Sequence, residues 1–157
     1  MDLLTKLGFS ELNTRTRRTV VVNPQACTGC RTCETVCSLV KTGKIYPQMA
    51  RIQVARKPFE GRFTPHACRQ CSVPECLRAC PSGAIGVSRT TGAVLIDPKK
   101  CDGCGNCIKA CPYDMMLFDA DKQKAFKCDL CAGQPRCVKY CPTHALGLAE
   151  FGARRKE

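Results

Sequence analysis

The chain has 157 residues, 25 Lys and Arg against 13 Asp and Glu for a formal net charge of +12, and 16 cysteines. Leu, Ile, Val and Phe make up only about a fifth of it and tryptophan is absent, a thin supply for a self-sufficient apolar core. No stretch approaches the roughly eighteen apolar residues of a membrane-spanning helix. The positive residues are scattered among the cysteines and form no single basic arm interleaved with aromatics, which argues against nucleic-acid binding.

At the start, "MDLLTKLGFSELNTRTRR" lacks the unbroken apolar run of a secretory signal. Arg17 and Arg18 precede only three consecutive apolar residues before Asn23-Pro24, too few for a twin-arginine export signal. The chain is therefore expected in the cytoplasm, where crowded cysteines mean metal and not disulfides. Residues 1–18 read as an N-terminal arm, with Leu3, Leu4, Leu7 and Phe9 on a short amphipathic stretch that either contacts a partner or frays.

"VVVNPQACTGC" then runs from an apolar strand through an Asn-Pro turn into the first cysteine group, Cys27, Cys30, Cys33 and Cys37. The fourth cysteine here is followed by Ser38, so its exit should differ from the others. Next comes the longest cysteine-free interval, residues 38–67. Within it "ARIQVAR" alternates enough for an exposed or edge strand and "KPFEGRF" reads as a turn. We expect this insert to be part covering layer, part partner surface.

The second group holds Cys68, Cys71, Cys76 and Cys80, with "SVPE" before its third cysteine. "AVLIDPKKCDGC" repeats the strand and Asp-Pro turn ahead of the third group, Cys101, Cys104, Cys107 and Cys111. The fourth group is Cys128, Cys131, Cys137 and Cys141, with "AGQPR" in the expanded interval. Groups two, three and four end in Cys-Pro and return to short apolar strands in "PSGAIGV", "PYDMMLF" and "PTHALGL".

The third group matches the bacterial ferredoxin run C-x₂-C-x₂-C-x₃-C-P without deviation. A compact turn lets three thiolates wrap one corner of a cubane while the fourth faces a different cluster. Gly103 and Gly105 suit a loop with positive φ, and Pro112 fixes the exit direction. Zinc could occupy four Cys₄ sites, but structural zinc usually separates two C-x₂-C knuckles by a long interval, which is absent here. A [3Fe-4S] centre is not required, since four cysteines are available to each cubane. Four [4Fe-4S] clusters carrying about −2 each would bring the net charge to about +4. His66 and His144 read as surface hydrogen-bonding groups, and Tyr113 and Tyr140 as packing over the sulfurs.

On "CTGCRTC", "HACRQC", "CDGCGNCIKACPYD" and "KCDLC", the chain resembles the four-cluster ferredoxin-type electron-transfer subunits of molybdenum and tungsten oxidoreductases and their relatives. These include the partners of formate dehydrogenase, dimethyl sulfoxide reductase, formate hydrogenlyase and carbon monoxide dehydrogenase, and the small subunit of a bacterial tungsten aldehyde oxidoreductase. The likeness covers about residues 19 to 149. It implies an α+β fold of two pseudo-symmetric 2[4Fe-4S] ferredoxin-like units, one nested in the other. Residues 19–67 would give the first half of the outer unit with the insert, 68–119 the inner unit, 120–149 the second outer half, and 150–157 a tail.

The same resemblance implies that Cys27, Cys30 and Cys33 share a cluster with Cys141, and Cys128, Cys131 and Cys137 with Cys37. Cys68, Cys71 and Cys76 would go with Cys111, and Cys101, Cys104 and Cys107 with Cys80. Spacing alone supports the crossed fourth ligand; the nesting rests on the resemblance. A cubane with four thiolates has no open coordination site, and no P-loop or Rossmann fingerprint is present, so no catalytic residue is expected. The expected role is a non-catalytic electron-transfer subunit between a molybdenum- or tungsten-type catalytic subunit and a second redox subunit, such as a flavin protein. A free diffusible polyferredoxin and a scaffold with structural metal sites are the alternatives. A chain this long is about 40 Å across, so four cubanes would form a row with its ends near the surface. Contact between copies through unlike surfaces would extend into a filament, which nothing in the sequence demands.

Overall fold

The computed structural model describes residues 17–151; the amphipathic stretch at Leu3 to Phe9 lies outside them. β-Branched residues extend β1 (Arg17–Val22), which pairs antiparallel with the last strand, β8 (Leu146–Phe151), in the register Val20↔Leu148. Asn23 then turns the chain, its side chain accepting from the Gln25 N–H at 3.2 Å. Asp97 does the same before the third cysteine group, accepting from the Lys99 N–H at 2.9 Å. The repeated Asx-Pro signal thus makes the same turn twice.

Four helices follow, one per cysteine group: α1 (Thr32–Thr42), α2 (Glu75–Arg78), α3 (Asn106–Lys109) and α4 (Arg136–Lys139). The last three are single turns that stop ahead of Cys-Pro. Helix α1 has no proline to stop it, so it runs through Cys37 and Ser38 to a left-handed Gly43 whose N–H bonds Leu39 at 2.9 Å. The altered exit expected at Ser38 is this extra length.

Each of the remaining strands belongs to a two-stranded antiparallel hairpin. β2 (Ile52–Lys57) pairs with β3 (Arg62–Ala67), β4 (Ile85–Val87) with β5 (Val94–Ile96), and β6 (Leu117–Asp119) with β7 (Lys124–Phe126). The first lies in the insert, where the expected edge strand forms and the expected turn is shorter than read. β2 is an edge strand whose alternation places Ile52 and Val54 in the core with Cys33, Cys37 and Cys137, covering the cysteine face of α1. The turn is confined to Pro58–Gly61, and Phe63 already belongs to β3. β7 was not visible in the sequence.

Two apolar cores result, and both are closed by cysteines. One gathers Val20, Ile52, Val54, Leu130 and Leu146 with Cys33, Cys37, Cys137 and Cys141. The other gathers Ile85, Val94, Met116 and Ala125 around Cys107. Helices α1 and α4 pack together beside β1–β8, whereas α2 and α3 pack together beside β4–β5. The outcome is a small α+β fold of repeated hairpin and helix modules resembling tandem ferredoxin-like units, the outer one assembled from the two ends of the described chain.

Candidate functional site

All four C-x-x-C loops share one backbone device: the residue before the second cysteine has positive φ, at Gly29 (71°), Gln70 (50°), Gly103 (78°) and Leu130 (55°). Two of these are glycines for a steric reason. A β-carbon on Gly29 would overlap the Phe63 ring from β3, and one on Gly103 would overlap the Gln123 carbonyl from the β6–β7 turn. Hairpins therefore roof groups one and three. At the other two loops the side chain goes inward: Leu130 is fully buried and Gln70 is 3% exposed. Asp102 and Asp129 steady their loops by accepting from the N–H groups of Cys104 and Cys131 at 3.1 and 3.0 Å.

The third cysteine is always the second residue of its helix: Cys33, Cys76, Cys107 and Cys137. In the compact groups the preceding residue is left-handed, Arg31 (φ 61°) or Gly105 (φ 74°). In the expanded groups Pro74 and Pro135 are extended and start the helix instead, which is what "SVPE" and "AGQPR" supply. After each Cys-Pro the chain turns again at Gly83, Asp114 or His144, all with positive φ, whose N–H groups reach back to Cys80, Cys111 and Cys141. His144 is thus a turn residue and, like His66, is exposed.

All sixteen thiols are free. Cys37 lies within electrostatic reach of Cys131 and Cys137, and Cys137 also senses Cys128. Cys111 acts in the same way on Cys71 and Cys76, which also sense Cys68. Cys80 neighbours Cys107, together with Cys101 and Cys104. Cys33 senses Cys30 and Cys27, and the first apolar core gathers Cys27, Cys33 and Cys141 together with Cys37, Cys128 and Cys137. One small, largely apolar cavity is lined by Cys68, Cys71, Cys76 and Cys111 with Met116, Tyr113 and Lys127. Tyr113 also stacks under Arg69, 4.2 Å from its ring centre, whereas Tyr140 is half exposed beside Lys139.

Burial pushes the Cys33 thiol up to about 12, aided by the negative charge of Glu34, and Cys76 and Cys128 up to about 11; it raises Cys137 as well. Cys30 is lowered by the Thr32 hydroxyl, 3.5 Å from its sulfur. Buried thiols of this kind ionise only when a cation takes the proton's place. Backbone N–H groups already point at several sulfurs, from Arg51 to Cys37 at 3.2 Å, Met115 to Cys111 at 3.4 Å and Leu130 to Cys128 at 3.5 Å. Such N–H···S contacts tune iron–sulfur centres. Among the described residues no three His, Cys, Asp or Glu side chains close on a single ion. The donor set fits [4Fe-4S] clusters.

Sequence reasoning passed over three polar groups, two of them buried and one, Asp129, partly so. Glu34, 5% exposed, contacts Arg31 and accepts from the Val54 N–H at 2.8 Å, tying the insert to α1. Asp129 accepts from Lys41 at 2.8 Å and Arg51 at 2.7 Å, which together outweigh burial and hold its carboxyl low. Lys127 is buried beside Gln70. The available signals were a charge inside "CRTCETVC", at the spacing that shares a helix face with the cysteines, and a lysine wedged between Phe126 and Cys128.

Nested modules presenting ringed thiols define a small ferredoxin-like electron-transfer protein, and comparison with known proteins agrees. The 4Fe-4S dicluster domain family matches residues 59–151, and a 4Fe-4S binding domain matches residues 24–43. The chain belongs to the 4Fe-4S dicluster domain family. It is 43% identical to the polyferredoxin-like subunit of an aliphatic sulfonate oxidoreductase from Pyrococcus furiosus, over 78% of this chain and 70% of that one. It is 35% identical to the electron transport protein HydN of Escherichia coli, covering 82% of this chain and 86% of the relative. Among solved structures, a chain of the BamBC active-site complex of benzoyl coenzyme A reductase, with 1,5 dienoyl-CoA, aligns with a TM-score of 0.55 and 25% identity, over 92% of this chain and 82% of that one. Among the described residues no helix is long and apolar enough to cross a membrane.

Proposed function

We propose that this chain is the four-cluster electron-transfer subunit of a cytoplasmic oxidoreductase complex, with a molybdenum- or tungsten-type catalytic subunit on one side and a second redox subunit on the other. One-electron transfer is the chemistry that bound [4Fe-4S] clusters supply. The chain's part is to hold them at fixed places. In this reading site I is Cys27, Cys30, Cys33 and Cys141; site II is Cys68, Cys71, Cys76 and Cys111; site III is Cys101, Cys104, Cys107 and Cys80; and site IV is Cys128, Cys131, Cys137 and Cys37. The observation that carries it is the exchange of fourth cysteines between distant groups: Cys37 among the thiols of group four, Cys111 among those of group two, Cys80 among those of group three.

Contacts between sites favour one order. Cys33 influences Cys137, linking I to IV. Cys68 influences Cys128, linking IV to II. Helix α2 with its flank carries both Cys76 and Cys80, linking II to III. The ends of the row, I and III, own the two exposed cysteines, Cys30 and Cys104, as a relay meeting a partner at each end requires. The insert, with Leu39, Val40, Ile45, Tyr46 and Phe59 all exposed, suits the face that docks the catalytic subunit. Free thiols in this number suit a reducing compartment.

Native mass measurement of the tagged protein in anaerobic extract tests this. The expected result is a stable complex with a second metal-containing subunit. A monomer that still reduces its acceptor at an undiminished rate would replace the subunit reading with a free polyferredoxin.

A further inference from the structure

Lys127 is 3% exposed. Its ammonium donates to the Cys128 carbonyl at 3.0 Å and to the Val94 carbonyl, and lies 3.5 Å from the Gln70 side-chain oxygen. These neighbours are neutral oxygens, and among the described residues no carboxylate pairs with it. A buried cation without a counter-ion is strongly disfavoured, so negative charge must come from elsewhere. The ammonium lines the cavity of Cys68, Cys71, Cys76 and Cys111, and its lysine directly precedes Cys128. Its charge reaches Cys71, Cys76 and Cys128, thiols of groups two and four. Among the described residues no other fully buried cation lies between groups one and four: Lys41 and Arg51, which reach Cys37, are paired with Asp129, and the buried charge is the Glu34 carboxylate beside Cys33.

Gln70 holds this lysine in place. It accepts left-handed backbone where two equivalent loops use glycine. The return is a side chain that accepts from the Val94 N–H at 2.8 Å and donates to the Cys128 carbonyl at 3.0 Å. That amide spans the group-two loop, β5 and the group-four loop.

We infer that Lys127 is the shared counter-charge of sites II and IV, positioned by Gln70, and that it raises the reduction potentials of these two inner centres. The inference rests on the four-site reading above. Adding one electron to either centre adds one negative charge next to a fixed cation in a low-dielectric setting, which favours the reduced form. Sites I and III lack this charge and do not gain from it.

The test is an anaerobic, mediated titration of the holoprotein with dithionite as reductant, followed by electron paramagnetic resonance. In Lys127→Met, two of four midpoints should fall and two stay. At a fixed potential near the original midpoint the reduced-to-oxidised ratio of the two affected centres should drop about tenfold, ~59 mV for one electron. Lys127→Arg should restore most of it. Should Lys127→Met fail to assemble, Gln70→Glu decides, because it adds a neutralising charge at nearly constant volume and should lower the same two midpoints. Unmoved midpoints in a variant with full iron content overturn the inference and leave the relay standing. A wild-type protein without four centres overturns both.

Discussion

Gly103 and Gly105 both have positive φ, 78° and 74°, but their surroundings differ. At Gly105 nothing lies within 4 Å of where a β-carbon would sit, so Gly105→Ala carries only the left-handed backbone cost, about 1–2 kcal/mol. At Gly103 the β-carbon would overlap the Gln123 carbonyl oxygen, which is backbone and cannot rotate away. Gly103→Ala therefore adds an overpacking cost of about 1–3 kcal/mol, and it lifts the β6–β7 hairpin from the group-three loop. At about 2–4 °C per kcal/mol for a chain near this size, Gly105→Ala should lower the thermal midpoint by about 2–8 °C. Gly103→Ala should lower it roughly twice as far. Loss of visible absorbance under anaerobic heating at one fixed scan rate is the assay, since unfolding with cofactor loss is irreversible. Equal falls, or a larger one for Gly105→Ala, would refute the claim that the hairpin roof explains Gly103.

Cys37→Ser should damage the site of Cys128, Cys131 and Cys137, and leave Cys27, Cys30 and Cys33 with theirs; a structure of the variant showing the reverse would overturn the crossed assignment. Glu34→Ala strands the Val54 N–H, which now donates to its carboxylate at 2.8 Å. It should cost about 1–3 kcal/mol and speed hydrogen exchange at Val54 while exchange at Leu95 is unchanged. Both apolar cores are closed by cysteines, so chelating the iron under oxidising conditions should unfold the chain cooperatively. Amide signals that keep their dispersion in iron-free protein would contradict this.

The cysteine pattern exposed much of the fold because each spacing has a backbone meaning. Proline after Cys80, Cys111 and Cys141 stops a one-turn helix, and serine after Cys37 lets α1 continue. The Asx-Pro turns at Asn23 and Asp97 were legible for the same local reason. Positive φ was legible at Gly103, where glycine advertises it, and hidden at Gln70 and Leu130, where tertiary contacts support the strain. β7 has three residues and no β-branched one, so only its pairing with β6 makes it a strand. Alternation along β2 gave the inward face of Ile52 and Val54, but that this face covers α1 is a long-range fact the pattern could not convey. Lys127 sits in a quoted motif, yet one lysine among 25 Lys and Arg gives no sign of burial until β5 closes over it.

In the proposed relay four cysteine groups hold four [4Fe-4S] clusters. Iron and acid-labile sulfide counted on anaerobically purified protein, with spin quantitation of the fully reduced sample, test it directly. About sixteen iron, about sixteen sulfide and four one-electron centres per chain are expected. Stoichiometric zinc, or no more than about eight iron per chain, would contradict it.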